Sequence, residues 1–357
     1  MNLLKIADTF PTEIEATNYF EYVRWNNKPT CCHCNSQNAS KRYEKLYYFC
    51  KNCRRNFSVT TDTYLHHTRI PLKAWLMCFA IISNAKKGVS ALQLHRDIGF
   101  STKTVWRMYH QVREIMTDGA IRLEGIVEMD ETYVGGKPRK YQSAKYTGAM
   151  KYNDYLEDKL EDLSGNFTFN TNPPKKNGLT ENAPRGRGTA KVPVVGIVQR
   201  DGNVVAEVMK KTNWKNFKAM VQKYVDMDES VLITDEFKAY SKFDAIIEHI
   251  KIDHSKMYSY KGLNTNSIES FWAIVKRGII GQYHSVSEKY LPNYIDEFCF
   301  KYNNRIYDDM FETLVFNSML PSDTIIKAMI TNSKKIRDGK KRAKEIVPKQ
   351  KMPKEAA

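Results

Sequence analysis

The stretch VEMDETYVGGK, residues 127–137, places Glu128, Asp130 and Glu131 within four positions. They lie at the end of an apolar run and directly before a glycine pair. The alternation in GIVEMD (125–130) predicts a strand. A strand that ends on three carboxylates is either a solvated strand end or the first piece of a metal site. The second reading requires further acids elsewhere in the chain, at places the fold can bring together.

Three more strands are predicted, at VPVVGIVQ (192–199), NVVAEVM (203–209) and SVLITD (230–235). The Asp201-Gly202 pair closes a hairpin between the first two of these. NWKNFKAMVQKYV (213–225) reads as a helix between strands. TNSIESFWAIVKRGI (265–279) reads as a helix following a short strand at KMYSY (256–260). Metal-dependent phosphoryl transfer needs carboxylates that converge on two Mg²⁺ ions about 3.5–4 Å apart. In an RNase H-like sheet these come from the first strand, the end of the fourth, and a later helix. Asp130, Asp235 and Glu269 occupy those three places. Ile268, Phe271, Trp272 and Val275 give the helix a buried face, while Glu269, Ala273 and Lys276 share another. Glu128, Glu131, Glu236 and Asp253 compete for assignment. Glu128 falls on the strand face of Asp130, and Glu131 on the opposite one. A single acid is usually a solvated side chain; an ordered triple is less easily accidental.

The N-terminal part follows different rules. Residues 1–30 predict a short helix with the stripe Ile14, Tyr19, Phe20 and Val23. The spacing Cys31-x2-Cys34-x15-Cys50-x2-Cys53 places four thiolates around one tetrahedral ion, the zinc-ribbon pattern. Cys32 and His33 lie inside the first knuckle. Adjacent cysteines do not readily point at one ion, which makes Cys32 the bystander. Cys78 and Cys299 sit in apolar helical contexts as core thiols. So small a ribbon buries little, and zinc would supply folding energy on the order of 10 kcal/mol. Arg54 and Arg55 suggest DNA contact, against a purely structural ribbon. Residues 70–87 predict a helix with Pro71 in its first turn. Residues 88–116 read as helix, glycine turn, helix, with Ser90 and Ser101 as N-caps. Val105, Met108, Val112 and Ile115 form one apolar face. Thr102, Lys103, Arg107 and His110 are expected on the exposed face that enters a major groove, as in a helix-turn-helix.

The chain has 357 residues, 42% hydrophobic, and a net charge of +16. Such a balance points to a polyanionic partner, double-stranded DNA in the first place. Part of the charge lies in a lysine-rich tail from about residue 334. No run is long and apolar enough for a membrane span, and no signal peptide is visible, so a cytoplasmic, nucleoid-associated protein is expected. Four segments are expected: N-terminal helix and zinc ribbon (1–65), helix-turn-helix (66–120), α/β catalytic domain (121–310) and C-terminal helix with basic tail (311–357). The catalytic domain carries an insertion at 137–191, rich in Lys, Asn, Gly and Pro.

Taken together, these stretches resemble the ISXO-like DDE transposases of bacterial insertion sequences, in the RNase H/retroviral-integrase superfamily. The resemblance rests on CCHC…YYFCKNCRRNFSVTTDTYLHHTRIPLKAW, EMDETYVGGK, GRGTAKVPVVGIVQRDG, ITDEFKAY and NTNSIESFWAIVKRGIIGQYHSVSEKYLPNYIDEFCFKYNNR, over roughly residues 15–310. It implies an RNase H-like mixed sheet flanked by helices, preceded by a zinc ribbon and a helix-turn-helix. It implies Asp130, Asp235 and Glu269 as catalytic ligands of two Mg²⁺ (or Mn²⁺) ions, and zinc on the four cysteines. It implies binding of terminal inverted repeats, then cleavage and strand transfer by water and a 3′-hydroxyl as in-line nucleophiles. Lys276, Arg277 and His284 are candidates for DNA-backbone contact. Two ends must be held at once, so a homodimer is expected, at least on DNA. The sequence departs from the family at Cys32, where proline is usual, and in the length of the insertion. The alternatives are a non-catalytic DNA-binding protein derived from a transposase, or an RNase H-like nuclease.

Overall fold

The computed structural model describes residues 1–42, 46–116, 121–135, 191–237, 240–252, 264–306 and 310–321. Almost all of the expected insertion, the basic tail, Asp253 and the strand expected at 256–260 lie outside the described residues.

The N-terminus forms two helices rather than one, α1 (Leu3–Thr9) and α2 (Glu13–Trp25). Pro11 cannot extend α1, and Thr12 starts α2 through a capping box with Glu15. Phe20 is buried as expected, but Ile14 is 54% exposed and belongs to no apolar stripe. Three antiparallel strands follow, β1 (Ala39–Arg42), β2 (Tyr47–Cys50) and β3 (Asn56–Phe57). Their core holds only Cys31, Tyr48, Cys50 and Phe57, packed on Trp25 of α2. That is too little apolar surface to hold a fold by itself.

Helices α3 (Leu72–Asn84), α4 (Ala91–Ile98) and α5 (Thr102–Ile115) come next. Ser90 and Ser101 cap α4 and α5 as expected, accepting from the Gln93 and Thr104 N–H groups. Helix α3 has no cap of its own. The Glu13 carboxylate of α2 accepts from the N–H groups of Leu72 (2.6 Å) and Lys73 (3.1 Å) instead, and this ties α2 to α3. Phe20, Trp75, Phe79, Val105 and Val112 form the helical core. Helix α9 (Met310–Ser318) returns from the far end of the chain to close it with Phe311, Leu314 and Val315.

The second core is built on a five-stranded sheet. Its strands are β4 (Leu123–Val134), β5 (Val192–Gln199), β6 (Val204–Val208), β7 (Val225–Thr234) and β8 (Glu248–Lys251), in the order β6-β5-β4-β7-β8. β4 pairs antiparallel with β5, and β5 with β6; β7 runs parallel to β4, and β8 to β7. An antiparallel three-strand meander with two parallel strands added beside its first member is the RNase H-like topology. Helix α6 (Trp214–Tyr224) makes the crossover to β7 and covers one face, where Val127, Met129, Val195, Ile197 and Phe217 meet. Helices α7 (Asn266–Gly278) and α8 (Leu291–Asn303) cover the other, with Val194, Val198, Ile268, Phe271, Trp272 and Phe298.

The helical unit and the sheet unit join through a buried ion cluster. Glu297 of α8 is fully buried. It accepts from Arg113 (2.8 Å) and Tyr109 (2.6 Å) of α5, from Lys301 (2.6 Å), and from Tyr283. Gly88, before α4, makes this approach possible. Its φ is +86°, and a Cβ there would lie 1.8 Å from the Tyr283 hydroxyl.

Candidate active site

β4 sends alternate residues to opposite faces of the sheet. Glu128, Asp130, Thr132 and Val134 face α7, while Val127, Met129 and Glu131 face the α6 side, as the partners of each show. Glu131 accepts from the buried Tyr240 hydroxyl at 2.5 Å, among the α6-side residues. The expected division of Glu128 and Asp130 from Glu131 therefore holds.

Asp235 follows the last residue of β7 and accepts from the Phe237 N–H at 3.0 Å, which turns the chain away from the sheet. In the parallel register of β4 and β7, Glu128 stands beside Ile233. Asp130 lies two residues beyond Glu128 on β4 and Asp235 one residue beyond the end of β7, and both line one cavity. Glu269 is in the first turn of α7 and accepts from the Thr265 hydroxyl at 3.1 Å. The approach of α7 to this face depends on Gly196, the β5 partner of Asp130. A Cβ at Gly196 would lie 2.7 Å from the Trp272 ring and 3.0 Å from Ile268. Any larger residue would push away the helix that carries Glu269.

Burial, then Glu131, then the charges of Asp235 and Glu269 push the Asp130 carboxyl up to about 7. Asp130 is thus close enough to both other acids to feel their charge, although the three do not bring ligand atoms within 4.8 Å of one another as the four cysteine sulfurs do. A crowd of oxygen donors with unbalanced negative charge fits a hard divalent cation such as Mg²⁺ or Mn²⁺. A cavity of about 650 Å³ opens on this spot, lined by Asp130, Asp235, Lys191, Lys276 and Ile280 among others. Lys276, two turns along α7 from Glu269, lines this cavity. Arg277 is exposed and donates to the Ala273 carbonyl at 2.9 Å.

Sequence reasoning treated Glu128 as a rival ligand, and its position assigns it other work. It is fully buried. One oxygen accepts from the N–H groups of Ser267 (2.9 Å) and Ile268 (3.0 Å) at the start of α7. The other accepts from Arg200 at 2.9 Å, and Arg200 also donates to the Asn264 carbonyl. Glu128 thus caps and anchors the helix that carries Glu269, from the strand that carries Asp130. Glu128→Ala leaves Arg200 and two helix N–H groups without their acceptor. The expected loss is about 2 kcal/mol of unfolding free energy, below that of a fully buried pair because Arg200 keeps 23% exposure. Urea denaturation measures it, with Glu128→Gln expected to lose less.

In the N-terminal unit the four expected cysteines come together. The Sγ atoms of Cys31 and Cys53 are 3.6 Å apart, those of Cys34 and Cys50 3.5 Å. All four lie within 4.8 Å of one another. Zn–S bonds of about 2.3 Å in a tetrahedron require S···S distances of about 3.8 Å, so the donor set fits zinc with small adjustments. Cys78 and Cys299 are buried core thiols as expected. On α5, Thr102, Lys103 and Arg107 are exposed, as expected of a groove-facing helix. His110 is not. It is 8% exposed and packs between Trp106 (4.2 Å between ring centroids) and Tyr290 (4.6 Å). Burial, then Arg113, push its pKa down to about 4, which leaves the ring neutral. Tyr290 and Tyr294, at the start of α8, cover α5 at His110 only, so His110 has no access to a groove while Lys103 and Arg107 stay exposed.

Comparison with known proteins bears on the whole chain. Residues 162–303 match the ISXO2-like transposase domain, and residues 11–56 match a transposase zinc-ribbon domain. The first span contains Asp235 and Glu269 and begins after Asp130; the second contains all four zinc-ribbon cysteines. An uncharacterized protein in transposable element ISH50 of Halobacterium salinarum (strain ATCC 700922 / JCM 11081 / NRC-1) is 25% identical over 301 residues, 81% of this chain and 90% of that protein. The crystal structure of a pre-cleavage Mos1 transpososome aligns at 12% identity, over 71% of this chain and 81% of that one, with a TM-score of 0.21. At that score the alignment adds nothing to the strand order. The RNase H-like sheet and the two domain matches define the class: a transposase with an N-terminal zinc ribbon. Over residues 162–303 the chain is similar to the ISXO-like transposases. Among the described residues no helix is long and apolar enough to cross a membrane.

Proposed function

We propose that this transposase binds the terminal inverted repeats of its element and cleaves and rejoins DNA strands with divalent metal at Asp130, Asp235 and Glu269. One observation supports the reading: Asp130 and Asp235 line one cavity, next to the helix that Gly196 and Glu128 hold against the sheet. Two Mg²⁺ or Mn²⁺ ions would supply charge stabilisation of the attacking and leaving oxygens of an in-line displacement. The chain's own part is positioning. Asp130 and Asp235 are fixed by the two central strands, and Glu269 by its capped helix. Lys276 offers a cation to a phosphate entering the cavity. Zinc on Cys31, Cys34, Cys50 and Cys53 would hold the ribbon together.

End recognition belongs, in this reading, to the zinc ribbon and to the exposed face of α5. The segments 1–65, 66–120, 121–310 and 311–357 act as ribbon, reader, catalytic domain and tail. Helices α2 and α9 lend their apolar faces to the reader's core. Two chains are the minimum that can hold two ends, so the working form is a dimer on DNA. Lys103→Ala and Arg107→Ala are expected to weaken binding to a terminal-repeat duplex, by about 1–3 kcal/mol for a base contact, with relaxed specificity. A phosphate contact would instead weaken all sequences equally and flatten the salt dependence. Fluorescence anisotropy at several salt concentrations separates the two. Unchanged affinity in the double variant would remove α5 from the interface.

A further inference from the structure

The run Cys31-Cys32-His33-Cys34 divides its side chains between two clusters. Cys31 and Cys34 join Cys50 and Cys53. Cys32 and His33 join Asp62, from the loop that leads out of the ribbon toward α3. One donor atom from each of these three residues lies within 4.8 Å of the other two. All three side chains are half-buried, so none is a freely solvated tip.

The loop is fixed independently of the ribbon's cysteines. Arg24 of α2 donates to the carbonyls of Val59 (2.6 Å) and Ser58 (3.4 Å). The Asp62 N–H donates to His66 Nδ1 at 3.0 Å, across a turn in which Asp62 has a φ of +60°. The Asp62 carboxylate is therefore delivered to the first knuckle from a different part of the chain.

We propose that Cys32, His33 and Asp62 form a second metal site, of the zinc type, beside the four-cysteine site. One sulfur, one nitrogen and one oxygen donor make a borderline set, suited to Zn²⁺ or Co²⁺ and ill suited to Mg²⁺. A thiolate and a carboxylate balance the charge of a divalent ion. Three protein ligands leave a fourth position for water. The site is weaker than the four-thiolate one, since it has a single thiolate and the Arg24 guanidinium stands near both Cys32 and Asp62. Its effect is mechanical: an ion there clips the ribbon's knuckle to the loop that rests on α2, and fixes the ribbon's angle on the helical unit. The competing arrangement is a plain hydrogen bond between the Cys32 thiol and Asp62.

Cobalt titration of the full-length, metal-stripped protein separates the two. The readouts are thiolate-to-cobalt charge transfer and ligand-field absorption, with excess Mg²⁺ to fill the all-oxygen site. The wild-type protein is expected to take up two equivalents, the first with a four-thiolate spectrum and the second more weakly. Cys32→Ser and Asp62→Asn are each expected to take up one and keep the first spectrum unchanged. Saturation of the wild-type protein at one equivalent overturns the proposal. So does a second equivalent that persists in both variants. If Cys32→Ser disrupts the ribbon and loses both ions, Asp62→Asn, which lies outside the knuckle, decides by the same criterion.

Discussion

Asp130→Asn, Asp235→Asn and Glu269→Gln should each abolish strand cleavage while end binding persists. Each substitution removes one anionic ligand and keeps the side chain's size, so the fold has little reason to change. Asp130 sits where burial and three neighbouring acids already oppose its charge. Its neutral replacement relieves that repulsion, and the metal-free protein should unfold no more easily than wild type. Loss of activity without loss of stability is the signature of a ligand. Losing one of a set that acts as a unit costs nearly as much as losing all of it. Glu131→Gln and Glu236→Gln should be milder, since Glu131, although it too lines the cavity, is held by the Tyr240 hydroxyl. Gel analysis of nicked terminal-repeat duplex measures cleavage, and anisotropy measures binding. Equal losses at Glu131 would move the site to the other face.

The second large effect is on stability. Glu297→Gln should destabilise the protein by about 4 kcal/mol, because it leaves Arg113 and Lys301 buried without their counter-charge. Burial pushes the Glu297 carboxyl up, but Lys301 and Arg113 outweigh it and hold the group down at about 2. A carboxyl with a lowered folded-state pKa stabilises the protein above its unfolded value, near 4.5. That contribution, on the order of 3 kcal/mol, fades as pH falls from about 4.5 through 2. Wild type should therefore lose stability steeply over that window, and Glu297→Gln much less so. Calorimetry across pH 2–7 checks both. Because this cluster joins α5 to α8, the variant should also loosen the two units from each other. Hydrogen exchange of the α5 amides would report that.

Much of this architecture could be read from the residues. β4, β5, β6 and β7 carry long β-branched runs, and the Asp201-Gly202 turn fixes one pairing. Helix α7 shows its apolar face at Ile268, Phe271, Trp272 and Val275, which places Glu269 on the neighbouring one. Strand β8 gave no such signal. Its four residues, Glu248 to Lys251, contain one apolar side chain, and pairing with β7 rather than local pattern makes it a strand. The roles of Glu128 and His110 were hidden for a different reason. The partners of Glu128 lie 72 to 140 residues along the chain, and one partner of His110 lies at the start of a helix far downstream. Arg200 offered a clue to Glu128: in the β4–β5 register it falls diagonally across from it, just after Gln199. Helix α9 was legible as a helix, but its return to the N-terminal core was not, since any apolar face could have received Phe311 and Leu314.

Asp130, Asp235 and Glu269 are proposed to form a metal-dependent site for DNA strand transfer. The most direct measurement incubates the purified protein with a duplex carrying the element's own terminal repeat and a supercoiled target, with Mg²⁺ and with EDTA. Repeat-specific 3′-hydroxyl ends and joined products are expected with Mg²⁺, none with EDTA, and none from Asp130→Asn. Wild-type protein that binds the repeat yet makes no cut with Mg²⁺ or Mn²⁺, or Asp130→Asn protein that cuts as well as wild type, would contradict it.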